Sequence, residues 1–193
     1  MGKSRKYDDL LNAAQKLFFK YGIKKVTIED ICEKANVSKM TFYKFFPNKI
    51  ALAKVVLDTV FEANYIKFKE LMEADIPFGI KMQLIVQMKM ENNQNIGMEF
   101  MREIYTNAEA NPELGMYASK MIRNGLDKVV YEFVKAQKKG WMRKDIKPAL
   151  LLAMMDKIVE VVGDERLMNH YDNAQQLTVE ITKFFVYGIA DER

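Results

Sequence analysis

Residues Thr27 to Leu52 read TIEDICEKANVSKMTFYKFFPNKIAL, and this stretch decides the fold. Thr27 opens a helix and Asp30 stands three residues on, a variant of the capping box. Ser38 is placed to cap a second helix. Between them the turn ANVS needs a residue that tolerates positive φ; Gly suits best and Asn next, and Asn36 supplies it. Cys32 and Ala35 are small enough for the two helices to cross closely. Ile28, Ile31, Val37, Phe42 and Phe46 recur at helical spacing and predict a small core, which turns Lys39, Met40, Tyr43 and Lys44 outward. No acidic residue falls between Val37 and Leu52. Two short helices at a tight turn are the arrangement that lays a recognition helix in the DNA major groove.

Upstream, DDLLNAAQKLFFKYG repeats apolar residues at Leu10, Ala14, Leu17, Phe18 and Tyr21, with Asp8 and Asp9 in the first turn and Gly22 where a C-terminal cap belongs. Downstream, a fourth helix is expected from Pro47 to Glu73, ended by DIPFG. At about 26 residues it would span roughly 40 Å, leaving the N-terminal head without a flexible linker. Further helices are expected at 78–95, 97–109, 114–138, 147–163 and 170–188, and no segment alternates like a strand. The predicted fold class is all-α. A helix-turn-helix DNA-binding domain is expected over residues 1–50 and a ligand-sensing and dimerisation domain over residues 51–193.

The charge is divided in the same way. The 193-residue chain carries a net +4, but residues 1–54 hold 12 Lys and Arg against 5 Asp and Glu, whereas the remainder holds 18 against 21. A basic head on a mildly acidic body is what a chain that meets a polyanion at one end would carry. A lysine-rich solvated surface would produce the same count. One cysteine (Cys32) and one histidine (His170) exclude an internal disulfide and a Cys/His zinc cluster. His170 lies in a polar NHYDN turn with no nucleophile motif beside it, and no Gly-rich phosphate loop occurs. No cofactor or metal is expected. The longest apolar run, Ala149 to Met155, is too short to span a bilayer, and the basic N-terminus lacks the apolar core of a secretory signal. A cytoplasmic protein with no membrane partner is expected.

The run from Thr27 to Leu52 resembles the DNA-binding region of TetR-family transcriptional regulators, through Thr27, Ile31, Val37-Ser38, Thr41, Tyr43, Phe46, Asn48, Lys49 and Leu52. The resemblance covers the first quarter of the chain. GWMRKDIKP, Gly140 to Pro148, is similar to the link that family members often carry before their dimerisation helices. By this resemblance Thr27 and Ser38 would meet DNA phosphates through hydroxyls and helix N-terminal amides. Tyr43 and Lys49 would clamp phosphate as well, and Lys39, Met40, Thr41 and Lys44 would face base edges. Lys3, Arg5 and Lys6 would follow the backbone as an arm, or form a disordered tail. Three positions depart from the family's usual pattern: Asn36 replaces Gly, Met40 a small residue and Phe45 a His. They bear on which bases are read. Phe45 sits at the edge of the apolar stripe, open to either core or DNA.

The resemblance further implies a dimeric repressor that binds a palindromic operator and is released by a small, apolar effector. PALLLAMMDKIVEVV and LTVEITKFFVYGIA, with Leu177, Ile181, Phe184 and Phe185, carry more apolar surface than one core face needs, as a four-helix homodimer interface would. Of 14 methionines, 12 lie beyond the head, and Met adapts to varied apolar partners. With Phe61, Tyr65, Phe100, Met101, Tyr105, Tyr117 and Met121 they suggest an effector cavity among the middle helices; the same stripe would also serve as plain core. Two other functions fit the composition, an α-helical enzyme with a basic surface or a protein-interaction module. The compact polar set Glu99, Arg102 and Glu103 is the only enzyme candidate, and it reads more simply as a solvated helix face. No enzyme is expected.

Overall fold

The computed structural model describes residues 5–92, 97–105 and 111–189. Among them the chain forms ten α-helices and no strand: α1 (Arg5–Tyr21), α2 (Ile28–Lys34), α3 (Lys39–Phe45), α4 (Lys49–Glu73), α5 (Phe78–Asn92), α6 (Met98–Tyr105), α7 (Pro112–Lys138), α8 (Pro148–Val162), α9 (Glu165–Met168) and α10 (Ala174–Ile189). The all-α expectation holds.

Local chemistry sets most of the boundaries. Asn48, not Pro47, starts the long helix: its side chain accepts from the Ala51 N–H at 2.8 Å, so Pro47 stays outside. Asn111 caps α7 through the Leu114 N–H at 3.0 Å and Pro112 takes the first helical position, two residues ahead of expectation. The expected break GDERLMNH contains a further turn, α9, capped by Asp164 on the Arg166 and Leu167 amides. Asn173 accepts from the Gln176 N–H at 3.0 Å, and α10 starts there instead of at residue 170. The expected ends of the fifth and sixth helices, at 95 and 109, lie outside the described residues.

Two apolar clusters organise the molecule. In the first, Leu10, Phe18, Ile31, Phe42 and Leu52 of the first four helices continue without a gap into Phe100 and Ile104 of α6 and Leu114, Ala118 and Ile122 of α7. Phe18 and Phe42 are fully buried, and truncating a buried Phe to Ala costs about 3–5 kcal/mol. The second joins Phe68 and Met72 of α4 to Met82 and Ile85 of α5, Phe133 of α7, Leu151 of α8 and Val186 of α10. The 25 residues of α4 therefore belong to both clusters. Its far end is closed by Lys81, a fully buried side chain of α5 whose ammonium donates to the carbonyls of Met72, at 2.9 Å, and Ala74. The ring centre of Trp141 lies 4.4 Å from that ammonium and 4.3 Å from the ammonium of Lys139.

Candidate nucleic-acid interface

The helix-turn-helix is built as its local chemistry requires. The Thr27 hydroxyl accepts from the Asp30 N–H at 3.1 Å, and the Asp30 carboxylate accepts from the Thr27 N–H at 2.8 Å. That reciprocal pair holds the Asp30 carboxyl below the usual carboxylate range. At the turn Asn36 takes φ 51, and the Val37 N–H closes back onto the Cys32 carbonyl at 2.9 Å. Ser38 accepts from the Thr41 N–H at 3.2 Å and fixes the start of α3. Ile31, Cys32, Phe42 and Phe46 are buried, whereas Ile28 and Val37 are half-buried. Burial pushes the Cys32 thiol up, away from the reactive thiolate. Phe45 packs edge-on against Tyr7, ring centres 5.7 Å apart, so it belongs to the small core.

The outer side of α3 presents Met40, 71% exposed, with Tyr43 and Lys44, all on one ridge. Lys44 makes no ion pair among the described residues, whereas Lys39 is paired with Glu29 of α2. Hydrogen bonding to Glu29 raises the Lys39 ammonium above its ordinary range. Thr41 is half-buried with its hydroxyl 3.1 Å from that of Ser38. Thr27 and Ser38 are exposed, their hydroxyls already committed to capping. Glu29 and Asp30 in the first turn of α2, and Lys39 and Met40 in that of α3, are exposed.

Lys49 sits apart from this ridge. Its ammonium donates to three carbonyls of the α1–α2 loop, those of Ile23 at 2.7 Å, Lys24 at 3.1 Å and Val26 at 2.5 Å. An ammonium has three protons, and each finds an oxygen here. Burial lowers its pKa, opposed by the charges of Glu103 and Asp30. In the DNA-free chain the Lys49 ammonium thus holds the loop, and the phosphate contact expected of it would have to replace these bonds.

The seven side chains expected around one effector cavity are divided among different clusters. Phe61, Phe100, Tyr105, Tyr117 and Met121 pack on the cluster shared with the head, Tyr65 on the second cluster, and Met101, with Tyr105 again, on a small third one beside Val162, Met168 and Leu177. Phe100 faces the head, its ring 4.9 Å from that of Phe19. The Tyr117 hydroxyl donates to Asp58 at 2.5 Å on the surface. The solvated-face reading of Glu103 is corrected: it is only 8% exposed and accepts from backbone amides of the α1–α2 loop. Its signal was present in the sequence, since position 103 lies three residues past Phe100 and inside the apolar stripe of α6. Lys81 had no comparable signal.

A three-helix head with a capped turn and a cationic ridge defines a helix-turn-helix protein, and comparison with known proteins places that head in a family. Residues 10–56 match the family described as "Bacterial regulatory proteins, tetR family", and the head belongs to it. The chain is 25% identical over 130 residues to an uncharacterized HTH-type transcriptional regulator, YhgD, of Bacillus subtilis (strain 168), which spans 66% of this chain and 64% of that protein. Its fold is also that of the fatty acid degradation regulator FadR from Bacillus halodurans, with TM-score 0.72, 17% identity and coverage of 97% of this chain and 98% of that one. FadR from Bacillus subtilis in complex with stearoyl-CoA shares it at TM-score 0.69 and 16% identity, over 95% and 99% of the two chains. Among the described residues no helix is long and apolar enough to cross a membrane.

Proposed function

We propose that the protein is a one-component transcriptional regulator that binds duplex DNA through α3 as a homodimer and releases it when a small apolar effector occupies the body. One observation carries the DNA half: Met40, Tyr43 and Lys44 stand exposed on the side of α3 opposite the buried Phe42 and Phe46. Lys44, Met40 and Thr41 are the base-facing set, with Lys39 joining once it exchanges Glu29 for DNA. Tyr43 and the N-terminal amides at Thr27 and Ser38 take phosphate. Lys49 is assigned to holding the loop. Residues 1–50 act as the DNA-binding unit and residues 51–193 as the sensing and dimerising unit. No catalytic role is assigned to any residue, and the protein acts as a repressor.

A lone helix-turn-helix makes few contacts, so two must be presented about 34–36 Å apart. The support for a dimer is the uncovered apolar face of α8 and α10, where Leu150, Met154, Val161, Phe184 and Tyr187 are exposed; Phe184 reaches 81%. The support for an apolar effector is the methionine-rich body together with the stearoyl-CoA bound by the B. subtilis structural relative. A long-chain acyl compound is the first class to try.

Fluorescence anisotropy with the DNA upstream of the protein's own coding sequence, at several salt concentrations, tests this reading. Specific binding that falls steeply with salt and is relieved by stearoyl-CoA is expected. A monomer that ignores duplex DNA in dilute buffer would end it.

A further inference from the structure

We propose that Glu103 is a positioning residue through which the body sets the orientation of the DNA-binding head directly, in parallel with the long helix α4. The carboxylate sits in the middle of α6 and reaches 80 positions back along the chain. One oxygen accepts from the Ile23 N–H at 2.5 Å, and the Lys24 N–H is shared between both oxygens at 3.1 and 3.2 Å. The carbonyls of the same loop, at Ile23, Lys24 and Val26, are taken by Lys49 at the start of α4. The loop is thus held from its donor side by α6 and from its acceptor side by α4. It leads straight into Thr27, the residue that starts the helix-turn-helix.

Nearby features make the contact a seat and not a chance touch. Gly22 has φ 83, and a Cβ there would lie 2.6 Å from the nearer Glu103 oxygen and 2.8 Å from Glu99 Cγ. Only glycine lets the carboxylate come this close. At the start of α6, the Gly97 N–H donates to the Phe19 carbonyl at 2.7 Å, and a Cβ on Gly97 would press within 3.1 Å of the Phe19 and Lys20 carbonyls. The Phe100 ring then packs at a tilt against that of Phe19, three residues on. Hence α6 is attached to the end of α1 by a backbone hydrogen bond and a ring contact, and to the loop that follows by a buried carboxylate. The other flank of α6 packs on α7 and α8, through Met101, Ile104 and Tyr105. Any rearrangement of the body that shifts α6 must carry the loop with it or surrender two amide–carboxylate bonds.

The test uses the full chain in a Cys32→Ala background with spin labels at Asn12→Cys on α1 and Lys138→Cys on α7, diluted with unlabelled protein so that only distances within one chain are read. Glu103→Gln keeps the shape and removes the charge; Glu103→Asp keeps the charge and shortens the reach. Both are expected to broaden or shift the head-to-body distance distribution and to speed amide exchange at Ile23 and Lys24 by about tenfold. Operator affinity should fall at least about threefold with an unchanged salt slope, since no phosphate contact is removed. Distance distributions that superimpose on the parent's overturn the proposal, and so does faster exchange without a change in distance, which would mark a purely local brace. If one variant fails to fold, the other is read in the same way. Only the operator arm rests on the DNA-binding function proposed above: should the parent ignore DNA, that function fails while the distance and exchange arms still decide the clasp.

Discussion

Replacing Lys49 with methionine separates two roles for this lysine of the head. The ammonium holds three carbonyls at 2.5–3.1 Å, those of Ile23 and Val26 half-buried and that of Lys24 exposed. Hydrogen bonds from a charged donor are worth about 1.5–3 kcal/mol each, and the exposed one will be replaced by water at little loss. Lys49 also bears a desolvation cost, visible as its lowered pKa, and methionine recovers part of it. The net loss is about 2–3 kcal/mol. For a chain of this size each kcal/mol moves the melting temperature by about 2–4 °C, so a drop of roughly 5–10 °C is expected by circular dichroism. Had Lys49 been a phosphate contact, its removal would instead lower the slope of log K against log salt by about 0.9. A melt unchanged within error together with a slope lower by about one would refute the clasp.

Three further outcomes are expected. Lys44→Ala should cost about 1–3 kcal/mol on the operator and less on random duplex, because this exposed ammonium on the ridge makes no ion pair among the described residues and can read a base; equal losses on both sequences would make it a phosphate contact. Phe184→Glu should shift sedimentation equilibrium toward monomer by at least about 2 kcal/mol, because it places a charge at the most exposed aromatic of α8 and α10; an undisturbed dimer would move the interface elsewhere. The Tyr117 phenol is pushed up to about 12 by burial and by its bond to Asp58. A folded pKa above the ordinary 10.0 means that this bond stabilises the fold below about pH 10 and is lost as pH rises through about 12. In Asp58→Asn, phenolate absorbance should reveal Tyr117 ionising at lower pH, and an unshifted titration would show that Asp58 contributes nothing.

What could be read from the chain alone was whatever depends on residues a few positions apart. The capping pair Thr27 and Asp30, the cap at Ser38, positive φ at Asn36 and the buried face of α3 all came from neighbours within one or two turns, because helix ends are satisfied by the nearest side-chain oxygen. The same reasoning slipped by a residue or two where several caps competed, as at Pro47 and Asn48. It could not assign partners to polar side chains whose counterparts come from distant segments. Lys49 looks like a surface charge in sequence, and the stripe position of Glu103 turns it inward without naming what it meets; both are drawn onto one loop, by backbone groups 23–26 and 79–80 positions away. The aromatic and methionine residues of the body likewise share a helical period, but which cluster each joins depends on how α4, α6 and α7 are stacked. Period tells a residue to turn inward; only the packed neighbours decide what it meets there.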